Sequence, residues 1–190
     1  MSLSEKRRTA TRAVPTLCKN ILFCEMTLTT KFITKVGIIA ALYTALTISF
    51  APISYGPIQI RVSEALTVLP FISSAAIPGL FLGCFLANIY GPVGLYDIFL
   101  GSLCTLVAAF LTNLLAKTRK PIFAPIPPIF INAFGIGYIL VFLAKPPDYS
   151  YSYWGTVLFI ALGEIAACFI LGYPLLRFIL KNPKLVGWLK

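Results

Sequence analysis

Long apolar runs that contain almost no charge are the feature that most constrains this chain. Between Lys35 and Lys117 only three residues are charged, and residues 98–115 include none. A helix needs about 20 mostly apolar residues to cross a membrane, because it rises ~1.5 Å per residue through ~30 Å of hydrocarbon. Charged residues make up 12% of the chain, against about 25% in soluble domains. The sequence therefore predicts a protein that folds in lipid, which excludes a cytosolic enzyme, a secreted disulfide scaffold and a disordered tail.

The apolar segments predict an all-α integral membrane protein, built as a six-transmembrane-helix bundle. The predicted spans are residues 36–52, 62–73, 74–90, 95–116, 125–144 and 153–177. The second span is short and only Ser73 and Ser74 separate it from the third, so a broken helix or a re-entrant pair is the alternative there. A closed β-barrel would show alternating segments of about ten residues, and these runs do not alternate.

The basic residues gather beside the spans and predict their orientation. Seven precede the first span, three lie in the loop at 117–124 and four close the chain. These clusters fall on one side of the membrane only for an even number of spans, and the positive-inside rule makes that side the cytoplasm. We therefore expect cytoplasmic N- and C-termini in the cell membrane. The net charge of +10 lacks the basic face with interleaved aromatic residues of nucleic-acid binders, so no nucleic-acid partner is expected.

The chain is predicted to divide into an N-terminal extension and one membrane domain. Residues 1–30 are predicted to be a disordered or artefactual extension, with a transit-type leader or a translation start at Met26 as alternatives. Residues 31–190 are predicted to form a single six-helix membrane domain. The five cysteines form no CxxC pair and there is no histidine, so neither a metal site nor a histidine-based catalytic centre is expected. The GxxxxGK[ST] motif of ATPases is missing as well.

Charged residues inside the spans are the candidates for function, since a charge at the centre of a helix in lipid costs on the order of 2.5–3.5 kcal/mol. Glu164 stands well inside the sixth span, about 16 Å deep at ~1.5 Å per residue, so it is protonated, paired or lining a wet cavity. Arg61 and Glu64 share a helix face at a spacing of three and could satisfy each other. Asp97 begins the fourth span, where an N-cap or helix-dipole role is the alternative.

Depth along the spans predicts that these charges share one outward-opening pocket with several neighbours. Polar side chains facing separate lipid surfaces would be costly, so we expect them to converge inside the bundle. The candidate binding residues are Arg61, Glu64, Asn88, Asp97, Asn132, Trp154 and Glu164. Asn113 is expected to make a helix–helix hydrogen bond instead. Ala41 and Ala45 form a small-xxx-small pair, suited to internal packing or to docking on another membrane subunit.

Several phrases of the sequence resemble one known family. They are R-V-S-E-A-L-T-V-L-P-F at 61–71, A-I-P-G-L at 76–80, G-P-V-G-L-Y-D at 91–97, and shorter pieces around Asn88, Asn132 and Glu164. This pattern resembles the queuosine-precursor transporter family, QueT, whose members are substrate-binding S components of energy-coupling factor (ECF) transporters. The likeness covers about residues 36–180, nearly all of the membrane part, and R-V-S-E-A-L is a fairly specific phrase.

The resemblance implies a six-helix protein that captures a 7-deazaguanine, such as a queuosine precursor or queuine, from outside the cell. It implies uptake powered by an ECF transmembrane coupling protein and two cytoplasmic ATPases. ATP is then used by the partner subunits, and this chain holds no cofactor. The first-helix alanine motif, which contacts the coupling protein in that family of folds, maps onto Ala41 and Ala45.

For such a ligand, we hypothesise that Glu64 and Glu164 each take one task. One would accept the N–H groups of the guanine-like edge and the other would bind an aminomethyl cation, and which acid takes which task stays open. The remaining candidates would supply a reserve acid, two amides for the carbonyl and ring nitrogens, and a stacking ring: Asp97, Asn88, Asn132 and Trp154.

Three other functions fit parts of the sequence. A stand-alone secondary transporter or channel for a small polar solute would use Glu164 as its proton or ion site. An integral-membrane enzyme would need a catalytic pair made from carboxylates, cysteine or serine, and we do not expect enzymatic activity. A structural or assembly subunit would explain the small residues of the first span but not the buried acids. The particular deazapurine, its base or nucleoside form and the identity of the coupling protein stay undetermined.

Overall fold

The computed structural model describes residues 30–55, 60–145 and 152–189, and within these segments the chain is helical without a β-strand. We number the helices of these segments in chain order as α1 Thr30–Ser49, α2 Ala51–Ser54, α3 Val62–Phe71, α4 Ala76–Tyr90, α5 Asp97–Thr118, α6 Pro121–Ala144, α7 Tyr153–Lys181 and α8 Pro183–Leu189. Helix α3 is a 3-10 helix, and α5, α6 and α7 contain π-helical turns at Asp97–Gly101, Ile139–Ala144 and Ala166–Gly172.

The prediction of an all-helical chain is confirmed for the described residues, and each predicted span coincides with a helix. Helices α1, α5, α6 and α7, with 20, 22, 24 and 29 residues, are long and apolar enough to cross a membrane. Helices α3 and α4 are shorter, with 10 and 15 residues, so the six-span count and the cytoplasmic termini stay predictions. The single membrane domain also stays a prediction, and nearly all of the predicted extension, residues 1–29, lies outside the described segments.

Helix α3 runs beside α5. At its start, the Arg61 guanidinium pairs with the Asp97 carboxylate, with 3.3 Å between Nη2 and Oδ2. At its other end, the Asn113 amide donates a 2.7 Å hydrogen bond to the carbonyl oxygen of Pro70, which confirms the helix–helix bond predicted for Asn113. A 3-10 helix rises about 2.0 Å per residue against ~1.5 Å for an α-helix. Helix α3 therefore covers a longer distance than an α-helix with the same number of residues.

Glycines bring neighbouring helices into close contact around the bundle interior. A Cβ atom at Gly83 of α4 would lie 2.7 Å from Tyr43 Cβ and 2.9 Å from the Ala40 carbonyl oxygen, both on α1. A Cβ atom at Gly172 of α7 would lie 3.0 Å from the Ala65 carbonyl oxygen on α3. Small residues at helix interfaces allow this backbone approach in membranes. As a result, α1 packs tightly on α4, and α7 packs tightly on α3.

The carbonyl oxygen of Leu189 in α8 joins three parts of the chain. It accepts a 2.6 Å hydrogen bond from the Ser73 hydroxyl and a 3.4 Å hydrogen bond from the Lys35 ammonium. Ser73 belongs to the turn between α3 and α4, and Lys35 belongs to α1. The end of α8, this turn and Lys35 therefore lie together, on the side of the bundle that the basic residues predict to be cytoplasmic.

Candidate functional site

Six of the seven candidate binding residues are buried polar side chains in the helical bundle. Each is at most 3% exposed, although they come from helices α3 to α7 and the N-cap of α3. Their hydrogen bonds and ion pair divide them into two sets that we name here. The arginine group consists of Arg61, Asn88 and Asp97, and the glutamate group consists of Glu64, Asn132 and Glu164.

The arginine group is held by one ion pair and one amide bond. Arg61 Nη2 lies 3.3 Å from Asp97 Oδ2, and both side chains are 2% exposed. The Asn88 amide donates a 2.9 Å hydrogen bond to the backbone carbonyl oxygen of Asp97. The Arg61 guanidinium also lies over the Tyr55 ring, 5.7 Å from its centroid. This arrangement contradicts the alternative in which Arg61 and Glu64 form a self-contained ion pair, because the partner of Arg61 is Asp97.

A π-helical turn at the start of α5 places Asp97 in this group. Asp97 is the first residue of that turn and follows the N-cap residue Tyr96, so Asp97 is not itself the N-cap. It lies in the first turn, and the helix-dipole alternative stays a prediction. Gly101, at the end of the same turn, leaves the space that the group occupies. A Cβ atom at Gly101 would lie 2.5 Å from Asp97 Oδ1 and 3.1 Å from Asn88 Nδ2. Glycine at this position therefore keeps the carboxylate and the amide side by side.

The glutamate group combines two buried carboxylates with two donors. The Tyr43 hydroxyl of α1 donates a short hydrogen bond to Glu64 Oε1. The Asn132 amide of α6 donates a 2.9 Å hydrogen bond to Glu164 Oε1. The Cys168 thiol lies 3.5 Å from both Glu164 Oε2 and the Glu64 carbonyl oxygen. Cys168 therefore connects α7 to α3.

The two groups adjoin one another through helix α3. Arg61 and Glu64 are three residues apart, and the Glu64 N–H group donates a 3.0 Å hydrogen bond to the Arg61 carbonyl oxygen. Arg61 is the N-cap residue of α3, with extended backbone at φ −89° and ψ 104°, and Glu64 lies in the first turn of the helix.

Buried side-chain atoms without a hydrogen-bond partner concentrate in this site. Among the described side chains, seven buried nitrogen or oxygen atoms have no partner, and six of them belong to candidate residues. These six are Arg61 Nε and Nη1, Glu64 Oε2, Asn88 Oδ1, Asp97 Oδ1 and Asn132 Oδ1. Nearly all buried polar atoms in proteins are paired, and an unpaired one costs about 1–3 kcal/mol. The site therefore offers two donors and four acceptors to a polar ligand.

Three residues of this neighbourhood were not predicted from the sequence. Tyr43 is buried and bonds Glu64, Cys168 touches both glutamates, and Gly101 makes room for Asp97. Tyr43 carried a usable signal, since a phenol in the middle of an apolar span needs a polar partner. A thiol and a glycine carry no such signal, because both are common in apolar helices.

The structure does not bring Trp154 to the site. Its side chain is 71% exposed near the start of α7, and its ring makes an edge contact with Tyr153 at 5.3 Å between centroids. Ala41 and Ala45 lie on the exposed face of α1, whereas Ala40 and Tyr43 are buried. Among the described residues, these two alanines are therefore not buried by another helix of the chain.

Comparison with known proteins identifies relatives over this whole region. The model of the QueT transporter family matches residues 33–181, a stretch that contains every candidate residue. The queuosine precursor transporter QueT of Lactococcus lactis subsp. cremoris (strain MG1363) is 35% identical over 151 residues, which cover 73% of this chain and 86% of that protein. No solved structure gives a significant match.

Proposed function

The chain belongs to the QueT transporter family, and from this premise we propose that it is the membrane-embedded subunit that captures a queuosine precursor or queuine from outside the cell. The protein is a multi-pass membrane transporter rather than an enzyme. The proposal concerns its ligand, a 7-deazaguanine, and the subunits that power uptake.

The observation that carries the ligand proposal is the set of six unpartnered polar atoms on five buried side chains. A guanine-like heterocycle is complementary to that set, because its N–H groups donate hydrogen bonds and its carbonyl oxygen and ring nitrogen accept them. The donors of Arg61 would bond the carbonyl oxygen, and the carboxylate and amide oxygens would accept the N–H groups. Hydrogen bonds to charged groups are worth about 1.5–3 kcal/mol each, so such a ligand would be held firmly.

The contacts at the two ends of α3 support a six-span topology with cytoplasmic termini. Helix α3 contacts α5 near Asp97 and again at Asn113, so it follows most of a helix that is long enough to cross a membrane. Its far end leads to the turn that lies beside Leu189 and Lys35. The termini would then share one side, which the positive-inside rule assigns to the cytoplasm. The site residues at the other end of α3 and α5 would open outward.

The exposed face of α1 supports a partner subunit in the membrane. Gly37, Ala41 and Ala45 recur every four residues on that face and are exposed, and a Cβ atom at Gly37 would meet nothing within 4 Å. Small residues at this spacing let a second helix approach closely. We assign this face to an ECF transmembrane coupling protein, whose two cytoplasmic ATPases hydrolyse ATP. The sequence holds no phosphate-binding motif of its own.

Ligand binding by the purified chain tests the first half of the proposal. We expect the protein in detergent to bind a 7-deazaguanine. We expect Asn132→Ala to weaken binding by about tenfold or more, because it removes the amide N–H group that bonds Glu164 and the unpartnered Oδ1 atom that the ligand would bond. Asn113→Ala is the matched control, because that amide bonds Pro70 outside the site. No binding by the wild type, or equal losses in both variants, would contradict the proposal.

Uptake into vesicles tests the second half. We expect uptake only when the coupling protein and the ATPases are present with ATP. Uptake by this chain alone would favour the stand-alone secondary transporter, with Glu164 as the proton or ion site.

A further inference from the structure

Helix α8 packs against the bundle through one of its sides. Leu189 is 7% exposed and lies in the same apolar cluster as Ile39 of α1, and Val186 packs against that cluster. Val186 and Leu189 are three residues apart, so they share one face of the helix. The Leu189 carbonyl oxygen also accepts the hydrogen bonds from Ser73 and Lys35. These contacts hold α8 beside α1 and beside the turn between α3 and α4.

The other side of α8, together with the last residue of α7, combines lysine with large apolar residues. Lys181 and Lys184 are exposed, as are Leu185 and Trp188, whose exposed fractions are 36% and 47%. We name these four residues the α8 surface. A Cβ atom at Gly187 would meet nothing within 4 Å, so this side has open space around it. Lysine beside leucine and tryptophan on an exposed helix face is typical of a helix that lies in the membrane interface.

The length of α7 brings α8 to the headgroup layer of a membrane that α7 crosses. Helix α7 has 29 residues, which extend over about 44 Å at ~1.5 Å per residue. The hydrocarbon core is about 30 Å thick, and the bilayer with its headgroup regions is about 40–45 Å thick. After Lys181, Asn182 has extended backbone, and its side-chain oxygen accepts a 3.2 Å hydrogen bond from the Lys184 N–H group. The chain therefore turns into α8 near the depth of the lipid phosphate groups.

Positive charge dominates this end of the bundle. Among the described residues from Lys35 onward, residues 117–120 supply three basic side chains, residues 177–184 supply three more, and all three acidic side chains are buried, at most 3% exposed. Ala124, which follows the first of these segments, packs with Leu176 of α7, so the two segments lie near each other. Clusters of about 4–8 basic residues beside a membrane-spanning helix attract anionic lipid headgroups. The charge therefore favours anionic lipids over zwitterionic ones at this end.

We propose that the α8 surface binds the headgroups of anionic phospholipids. The ammonium groups of Lys181 and Lys184 pair with the phosphate oxygens, and Leu185 and Trp188 lie among the upper parts of the acyl chains. The positive-inside rule explains basic residues at this end, but it does not explain why a docked helix exposes leucine and tryptophan beside them. The proposal concerns a lipid and does not depend on which solute the buried site binds.

Fluorescence of Trp188 in vesicles tests the proposal. The chain has two tryptophans, so Trp154→Phe leaves Trp188 as the reporter, and Trp188→Phe leaves Trp154, near the start of α7, as the reference. Each variant is reconstituted in mixtures of anionic phosphatidylglycerol and zwitterionic phosphatidylcholine. One of the two lipids is brominated near the top of an acyl chain, because bromine quenches a tryptophan that it contacts. We expect Trp188 to prefer phosphatidylglycerol by about fivefold or more, and Trp154 to show a smaller preference.

Three outcomes of this experiment would overturn the proposal. Equal quenching of Trp188 by the two brominated lipids would show that the α8 surface does not distinguish anionic headgroups. An equal preference at both tryptophans would show that the effect is not local to α8. Failure of both lipids to quench Trp188 would place the α8 surface outside the membrane, which would leave an acidic protein as its occupant.

Charge variants made in the Trp154→Phe protein test the two lysines. Lys181→Gln and Lys184→Gln each remove one exposed charge, so we expect the preference for phosphatidylglycerol to fall by about two- to fivefold. Lys184→Arg keeps the charge and should keep the preference. Lys145→Gln is the matched control, because Lys145 is an exposed lysine that follows the far end of α6. A preference that survives both changes at Lys181 and Lys184, or that falls equally in Lys145→Gln, would contradict the proposal.

Discussion

Helix α1 presents small residues on both of its faces, and comparing the faces separates two uses of the same residue type. On the inward face, Ala40 and Tyr43 pack against Gly83 of α4, and Tyr43 bonds Glu64. On the outward face, Ala41 and Ala45 are exposed. The sequence spacing alone could not assign these roles, since Ala40, Ala41 and Ala45 all occur in one apolar run. What lies opposite each residue decides whether it supports the fold and the site or a partner surface.

The largest expected effect comes from filling the inward contact. Gly83→Leu places a side chain where even a Cβ atom would lie 2.9 Å from the Ala40 carbonyl oxygen, so α1 and α4 must separate. We expect a loss of stability at or above the upper end of the ~1–3 kcal/mol typical of overpacking. The measurement is the melting temperature and the monodisperse yield in detergent.

Gly37→Leu is the matched control, made on the same helix. A Cβ atom at Gly37 meets nothing within 4 Å, and leucine is the better helix former by about 0.8 kcal/mol. We expect an unchanged or slightly higher melting temperature. Equal destabilisation in the two variants would show that the two faces of α1 do not differ as described.

The outward face should matter for uptake but not for ligand binding. The double change Ala41→Leu with Ala45→Leu blocks close approach of a second helix, while both positions are exposed and outside the candidate site. We expect uptake with the coupling protein and ATPases to fall to the level measured without ATP. Ligand affinity of the purified chain should stay within about twofold, since surface changes are usually worth less than ~0.5 kcal/mol.

Leu42→Phe controls for any change on the exposed side of α1. Leu42 is 50% exposed and large already, so the substitution keeps a bulky apolar surface. If this variant also abolished uptake, or if the alanine variant weakened ligand binding, the outward face would have no specific coupling role.

Helix positions were largely predictable, and the local form of the helices was not. An apolar run in lipid has to satisfy its backbone N–H and C=O groups internally, which favours a helix, and each predicted span coincides with a helix. The 3-10 geometry of α3 depends on its neighbours. Its Ala65 backbone lies against Gly172 of α7, and the Pro70 carbonyl oxygen accepts the Asn113 amide of α5. These contacts join residues that are distant in sequence, so they could not be predicted from the local helix propensity of residues 62–71.

Which residues lie in the site was more predictable than which of them form hydrogen bonds or ion pairs with one another. The cost of a charge in lipid marked Arg61, Asp97 and Glu164 as residues that must turn inward, and they are buried. Spacing on one helix suggested Glu64 as the partner of Arg61, but the actual partner, Asp97, is 36 residues away. Trp154 was predicted to be a site residue, but it is exposed. Aromatic residues near span ends are frequent at membrane interfaces, so its type and position could not distinguish a stacking ring from an exposed one.

The smallest expected effect concerns the Tyr43 hydroxyl, which joins the inward face of α1 to the glutamate group. Tyr43→Phe keeps the buried ring and the Cβ atom that lies against Gly83, and it removes only the hydroxyl that bonds Glu64 Oε1. A buried acceptor left without its donor costs about 1–3 kcal/mol. We expect the Kd for a 7-deazaguanine to rise by about tenfold, equivalent to ~1.4 kcal/mol.

Tyr55→Phe is the control for this change, because the Tyr55 hydroxyl donates a 2.6 Å hydrogen bond to the Ala87 carbonyl oxygen, outside both groups. Its ring beside Arg61 is retained, so we expect a smaller rise in Kd than for Tyr43→Phe. If Tyr55→Phe weakened binding as much as Tyr43→Phe, the effect would reflect general loosening of the bundle. A selective loss in Tyr43→Phe would show that the inward face of α1 acts on the ligand through the orientation of Glu64. Helix α1 would then connect the partner surface to the site, because its outward face would dock on the coupling protein while Tyr43 on its inward face holds Glu64.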